Sequence, residues 1–108
     1  MIRVMLSLDL IDAEDKRADF YGYLTNDGWK KAKNVDTVWL KRFSDYTALD
    51  EEQVKKLRNE IAAPIIEAYK KLKLHKVFYV AQIGNNCVIS RVVEKRDGKT
   101  AAYSESVF

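Results

Sequence analysis

The stretch VMLSLDLID, residues 4 to 12, runs an apolar alternation into two carboxylates, Asp9 and Asp12. Asp9 is either a working carboxylate at a strand end or a polar residue on the wet side of a sheet. Asp12, Glu14, Asp15 and Asp19 read as a helix start: Asp12 is placed to cap, and Glu14 and Asp15 suit the positive end of the helix dipole. Cations form two groups. Lys30, Lys31 and Lys33 stand beside Trp29, with Lys41 and Arg42 following, while Lys70, Lys71, Lys73 and Lys76 surround His75. Basic residues with aromatics nearby are the minimum a single-strand nucleic-acid binder needs. The same residues also serve as a solvated face or offset a helix C-terminal dipole.

His75 is the only histidine and Cys87 the only cysteine, so any Cys–His or Ser–His–Asp chemistry has to use them. Their settings fit a surface or capping residue and a small buried hydrophobe. Gly22, Gly28, Gly84 and Gly98 are the only glycines, and they form no phosphate-cradling loop. Nucleotide hydrolysis and dinucleotide-dependent redox chemistry are disfavoured accordingly.

The chain that must position these groups has 108 residues, the size of a single domain with its own core. A net charge of +3 demands neither a nucleic acid nor a membrane. One cysteine cannot close an internal disulfide and suits a reducing cytoplasm. No apolar run approaches the roughly 20 residues of a membrane span, and MIRVMLSLDL alternates like a strand rather than a signal peptide. A cytoplasmic location is the expectation.

Alternation of Ile2, Val4, Leu6, Leu8 and Leu10 with Arg3, Met5, Ser7 and Asp9 predicts a strand with one dry face. A helix then runs to Asn26 or Asp27, burying Ala13, the Arg17 stem, Phe20, Tyr21 and Leu24. Gly28 stops it, and Trp29 folds back onto Leu24. Residues 34–43, NVDTVWLKRF, form a second strand with Val38 and Leu40 on one face and Thr37 and Trp39 on the other. Asp50 or Thr47 caps a long helix carrying Val54, Leu57, Ile61, Ile65, Ala68, Tyr69 and Leu72 on one side. Pro64 inside it predicts a kink or break near residues 60–63.

KVFYVAQI, residues 76–83, is apolar on both faces, as a central strand is. After a turn at 84–86, residues 87–108 form a hairpin about Asp97-Gly98 that sets Val92 near Tyr103 and Val88 near Val107. The order is β-α-β-α-β-β-β, an α+β sandwich with two helices on one face of the sheet and the first two strands parallel. The other face, with Arg3, Met5, Ser7, Asp9, Thr37 and Trp39, then lacks a cover. Such a face usually meets something, and a second copy is the simplest partner. Trp39, Tyr46, Tyr79 and Tyr103 are its candidate aromatics, for stacking bases or filling a dimer interface.

A first strand ending in SLDL, a helix closing with LTNDGW, a second strand VDTVWL and the later KVFYVAQI resemble a ferredoxin-like superfamily. It includes the small CRISPR-associated spacer-integration subunit, the virulence-associated protein D ribonucleases and SinR-like proteins. The likeness covers residues 2 to 83. It implies a single ferredoxin-like domain over 1–108, with a β-α-β-α-β core and a C-terminal hairpin at 87–108 that is longer than the family leads one to expect. It also implies a homodimer interface using Met5, Ser7, Thr37 and Trp39. The implied chemistry is RNA cleavage, with Asp9 at the position of the acid that holds Mg2+ at a two-fold axis. Nucleic-acid contacts would fall to the basic group Lys30, Lys31, Lys33, Lys41 and Arg42 on its composition alone, and the scatter of the basic residues departs from the family. Magnesium takes one or two carboxylates and keeps several waters, so one Asp9 per subunit suffices chemically. Scarce catalytic side chains favour a rival on the same fold: a non-catalytic interaction module such as an antitoxin, an immunity protein or a phage-encoded inhibitor.

Overall fold

A computed structural model describes residues 1–33, 37–46, 50–85 and 87–106. Strand β1 (Ile2–Ile11) leads through a 3-10 turn (Glu14–Lys16) into helix α1 (Arg17–Asn26) and a two-residue strand β2 (Lys30–Lys31). Strand β3 (Val38–Phe43), helix α2 (Glu51–Lys71), and strands β4 (Lys76–Ile83), β5 (Cys87–Arg96) and β6 (Lys99–Ser104) follow. The strands form one sheet in the order β2-β3-β1-β4-β5-β6, with every pairing antiparallel. The architecture is α+β, as expected.

The parallel pairing of the first two strands is corrected. Lys30 lies opposite Leu40 and Lys31 opposite Trp39, and the Ala32 N–H donates to the Val38 carbonyl at 2.8 Å. It is therefore β2 that points the same way as β1; the hairpin turns the chain once more, and β3 returns antiparallel to β1. Residues 34–36, which belong to the expected second strand, lie outside the described residues.

Alternation decides the layers. Val4, Leu6, Leu8 and Leu10 are buried while Arg3, Met5, Ser7 and Asp9 are exposed. The buried set joins Trp39 and Phe43 of β3, Val77, Tyr79, Ala81 and Ile83 of β4, and Ile89 and Val93 of β5. Phe20 and Leu24, spaced i,i+4 on α1, and Leu57, Ile61, Ile65 and Ala68 of α2 complete the same core. Fully burying one such aliphatic side chain contributes about 1.5–3 kcal/mol. The Arg17 stem, expected in the core, is exposed instead.

The two helix ends show which local signals acted. Gly28 at φ +98° closes α1 in a Schellman arrangement, with Trp29 N–H donating to Leu24 O and Gly28 N–H to Thr25 O, both at 3.0 Å. Trp29 is 2% exposed, so it packs inward as the sequence predicts. Asp50 caps α2 by accepting from the Gln53 N–H at 2.8 Å; Thr47, the alternative cap, lies outside the described residues. Asp12 does not cap. It takes a left-handed φ of 55°, and the turn that follows starts at Ala13 with no side-chain cap.

Pro64 neither ends nor breaks α2, which runs without interruption from Glu51 to Lys71. Proline removes one helix hydrogen bond, but buried Ile61 and Ile65 flank it and hold both halves of the helix to the core. The hairpin turn has φ of 50° at Asp97 and 77° at Gly98, and it sets Val92 opposite Tyr103. Val107, the expected neighbour of Val88, lies outside the described residues.

Candidate functional site

The face of the sheet turned away from the helices is built in rows by the strand register. Arg42 sits directly opposite Arg3. Leu40, Met5, Gln82 and Val88 form the next row across β3, β1, β4 and β5, and Lys30 of β2 lies beside Leu40. Val38, Ser7, Val80 and Ser90 form another. Asp9, Phe78, Val92 and Tyr103 form the fourth.

This face contains the exposed apolar surface. Met5 is 48% exposed, Leu40 42% and Val88 55%, and all three belong to the second row. At the Arg3 end, β1, β2, β3 and the end of β4 with its following turn shape an open concavity of about 1270 Å³. Met1, Met5 and Leu40 supply apolar lining, Arg3, Lys30, Lys41 and Arg42 supply charge, and no carboxylate lines it among the described residues. Neither Arg3 nor Arg42 has a carboxylate partner among the described residues, although like charges directly opposite on a sheet are destabilising.

Five cations are nucleic-acid candidates from the sequence, and the structure separates them. Lys30 and Arg42 share the concavity, which Lys41 also lines. Lys31 and Lys41 alternate with them and project to the helix side, where the Lys31 ammonium lies 5.5 Å from the Tyr21 ring centre. Lys41 is bound to Asp27 by a 2.9 Å ion pair, donates to the Asp27 carbonyl and lies 5.0 Å over the Phe43 ring, so it fastens β3 to the end of α1. Lys33 is exposed in the turn after β2. Arg3 completes the group, and only the β1–β3 register, which is not written in local sequence, brings it opposite Arg42.

The face assignment of β3 is reversed. Trp39 is opposite Leu6 on the helix side, 3% exposed, with its ring centre 5.0 Å from that of Tyr21. Val38 and Leu40 take the open face in its place, because the larger ring gains more from the core than leucine does. Thr37 is exposed in the turn before β3. Of the expected interface residues Met5, Ser7, Thr37 and Trp39, only Met5 and Ser7 stand on open-face strand positions.

Three of the four candidate aromatics are likewise in the core. Tyr46 donates to a Glu60 carboxylate oxygen at 2.6 Å, and burial, then this bond and charge, push its pKa up to about 12. Tyr79 is also pushed up to about 12 by burial, with Arg91 opposing. Tyr103 does lie on the open face. Its ring is covered by the Arg96 guanidinium at 4.3 Å, and its hydroxyl donates to Lys99 O at 2.7 Å.

Asp9 is exposed opposite Phe78, six residues along β1 from Arg3, or about 20 Å. No cluster of three or more His, Cys, Asp or Glu placed to hold a metal ion occurs among the described residues. A magnesium ion held by Asp9 would need its remaining ligands from water, substrate phosphate or a second subunit. His75 is exposed between α2 and β4, and Cys87 is a half-buried free thiol packed on the core. No helix is long and apolar enough to cross a membrane among the described residues. Comparison of the chain with protein-family models, with curated proteins and with solved structures finds no match.

Proposed function

We propose that this chain is a protein-interaction module on a ferredoxin-like scaffold, binding its partner on the open face of the sheet. The order β2-β3-β1-β4, all antiparallel, with helices after β1 and β3, supports the ferredoxin-like core, and β5 and β6 extend it. The observation that carries the function is the row Leu40–Met5–Gln82–Val88, apolar and exposed at three of its four positions. Large apolar side chains gathered in one row of an uncovered sheet mark an interaction surface. Methionine adapts readily to varied partners. The unpaired thiol of Cys87 supports a reducing compartment, the cytoplasm.

A photoreactive amino acid in place of Leu40 tests this reading in cells of the native host. A protease-sensitive adduct larger than two copies of the chain is expected. A nuclease-sensitive adduct, or none, overturns it.

A second reading draws on Asp9 and the cations of the same face: a homodimeric nucleic-acid-associated protein, an endoribonuclease in which Asp9 holds Mg2+ with its symmetry mate. The accessible Asp9 carboxylate supports it. Magnesium-dependent cleavage of RNA that disappears in Asp9→Asn is its expected result. Cleavage unchanged by that substitution removes it.

A further inference from the structure

We infer that the segment seated in the Arg3–Arg42 concavity is an acidic, amphipathic stretch of a partner protein. The inference rests on the interaction-module reading and adds the chemistry of the partner. Three features of the concavity select that chemistry. Among the described residues Arg3, Arg42 and Lys30 carry no carboxylate partner and no acid lines the cavity, whose fourth cation, Lys41, is already paired with Asp27; an anion bound by the first three meets no like charge in the lining. The arginine pair stands directly cross-strand, at a cost to the sheet that a bridging carboxylate reverses. Between and beside these cations lie Met5 and Leu40, each more than two-fifths exposed. A ligand alternating carboxylates with aliphatic side chains matches both at once.

A single-stranded nucleic acid matches less of this surface. Base stacking needs free aromatic faces near the cations. Among the described residues the aromatics of the open face are Phe78 and Tyr103, two rows from Met5, about 13 Å along the strands. Tyr103 is already covered by Arg96. Phosphates alone can satisfy the arginines, but they leave Met5 and Leu40 without an apolar partner.

The test uses the intact chain and three fluorescent probes: a peptide alternating glutamate with leucine, its lysine–leucine counterpart, and oligouridylate. The glutamate peptide is expected to bind, with affinity falling as salt rises. Arg3→Gln combined with Arg42→Gln weakens it about tenfold, the sum of two exposed ion pairs. Met5→Gln combined with Leu40→Gln also weakens it, while leaving the salt dependence in place. All four positions are exposed, and circular dichroism confirms that the variants fold.

Equal binding of the lysine peptide overturns the inference, as does glutamate-peptide binding indifferent to the arginines. Tighter binding of oligouridylate, lost with the same arginines, overturns it in favour of a nucleic acid. If the peptide fails while a protease-sensitive adduct forms at position 40, the interaction module stands and only the acidic partner falls. If neither occurs, both fall.

Discussion

The two faces of this sheet are made by the same strands, from alternate residues, and they obey different rules. On the helix side Leu6 is fully buried between Trp39 and Ala81, and each side chain there is fixed by its neighbours. On the open side, one residue away, Met5 stands between Leu40 and Gln82 with nearly half its surface free. Packing decides identity on the first face. On the second, packing within the chain does not account for two arginines opposite one another or methionine beside leucine.

The comparison breaks most sharply at adjacent positions of β1. Leu6→Ala should cost about 2–5 kcal/mol in urea unfolding, because it leaves a cavity in the core. Met5→Ala should stay within about 0.5 kcal/mol. Equal losses at the two sites would mean that the open face is packed in the isolated chain. The faces also differ in titration. Tyr79, on the helix side, ionises near 12 in the folded chain instead of near 10. Burial leaves the neutral phenol undisturbed below about pH 10, and the stability it protects is lost as pH rises toward 12, about 3 kcal/mol in all. Tyr79→Phe should flatten alkaline unfolding over that interval.

Relief of like charge is the next largest effect. Arg42→Gln should stabilise the chain by about 0.2–1 kcal/mol at low salt, and added salt should shrink the gain. The same change weakens the acidic peptide, so stability and binding move in opposite directions. The smallest effect belongs to Glu94 on the open side. Its carboxyl is held below its ordinary value first by the Arg96 hydrogen bond, with Lys76 adding a further charge. That contribution is present above the ordinary carboxylate value and fades as pH falls through the lowered one. Glu94→Gln should slightly reduce the acid dependence of unfolding.

Local chemistry made much of the fold legible. Alternation marked β1, the residues 76–83 of β4 stood out as doubly apolar, Asp97-Gly98 announced its hairpin, and Gly28-Trp29 announced the end of α1. What escaped was non-local. Two lysines at the edge of a sheet carry no strand signal, yet β2 reverses the direction of β3. The face of Trp39 followed from which partner row it met, and Pro64 was tolerated because flanking isoleucines held the helix. The candidate site was legible in part for the same reason. Met5 and Arg3 were assigned to an uncovered face by period alone, whereas the Arg3–Arg42 pairing exists only through register.

The central place of β1 also has a consequence in time. Val4 pairs with Lys41 on one side and with Ile83 on the other, although it is synthesised well before either. Contacts this distant in sequence close late and fold slowly. On the ribosome, at about 5–20 residues per second, β1 must wait with an unpaired apolar edge until β4 emerges. A strand that waits exposed in the nascent chain is therefore one that ends paired along both edges in the finished sheet.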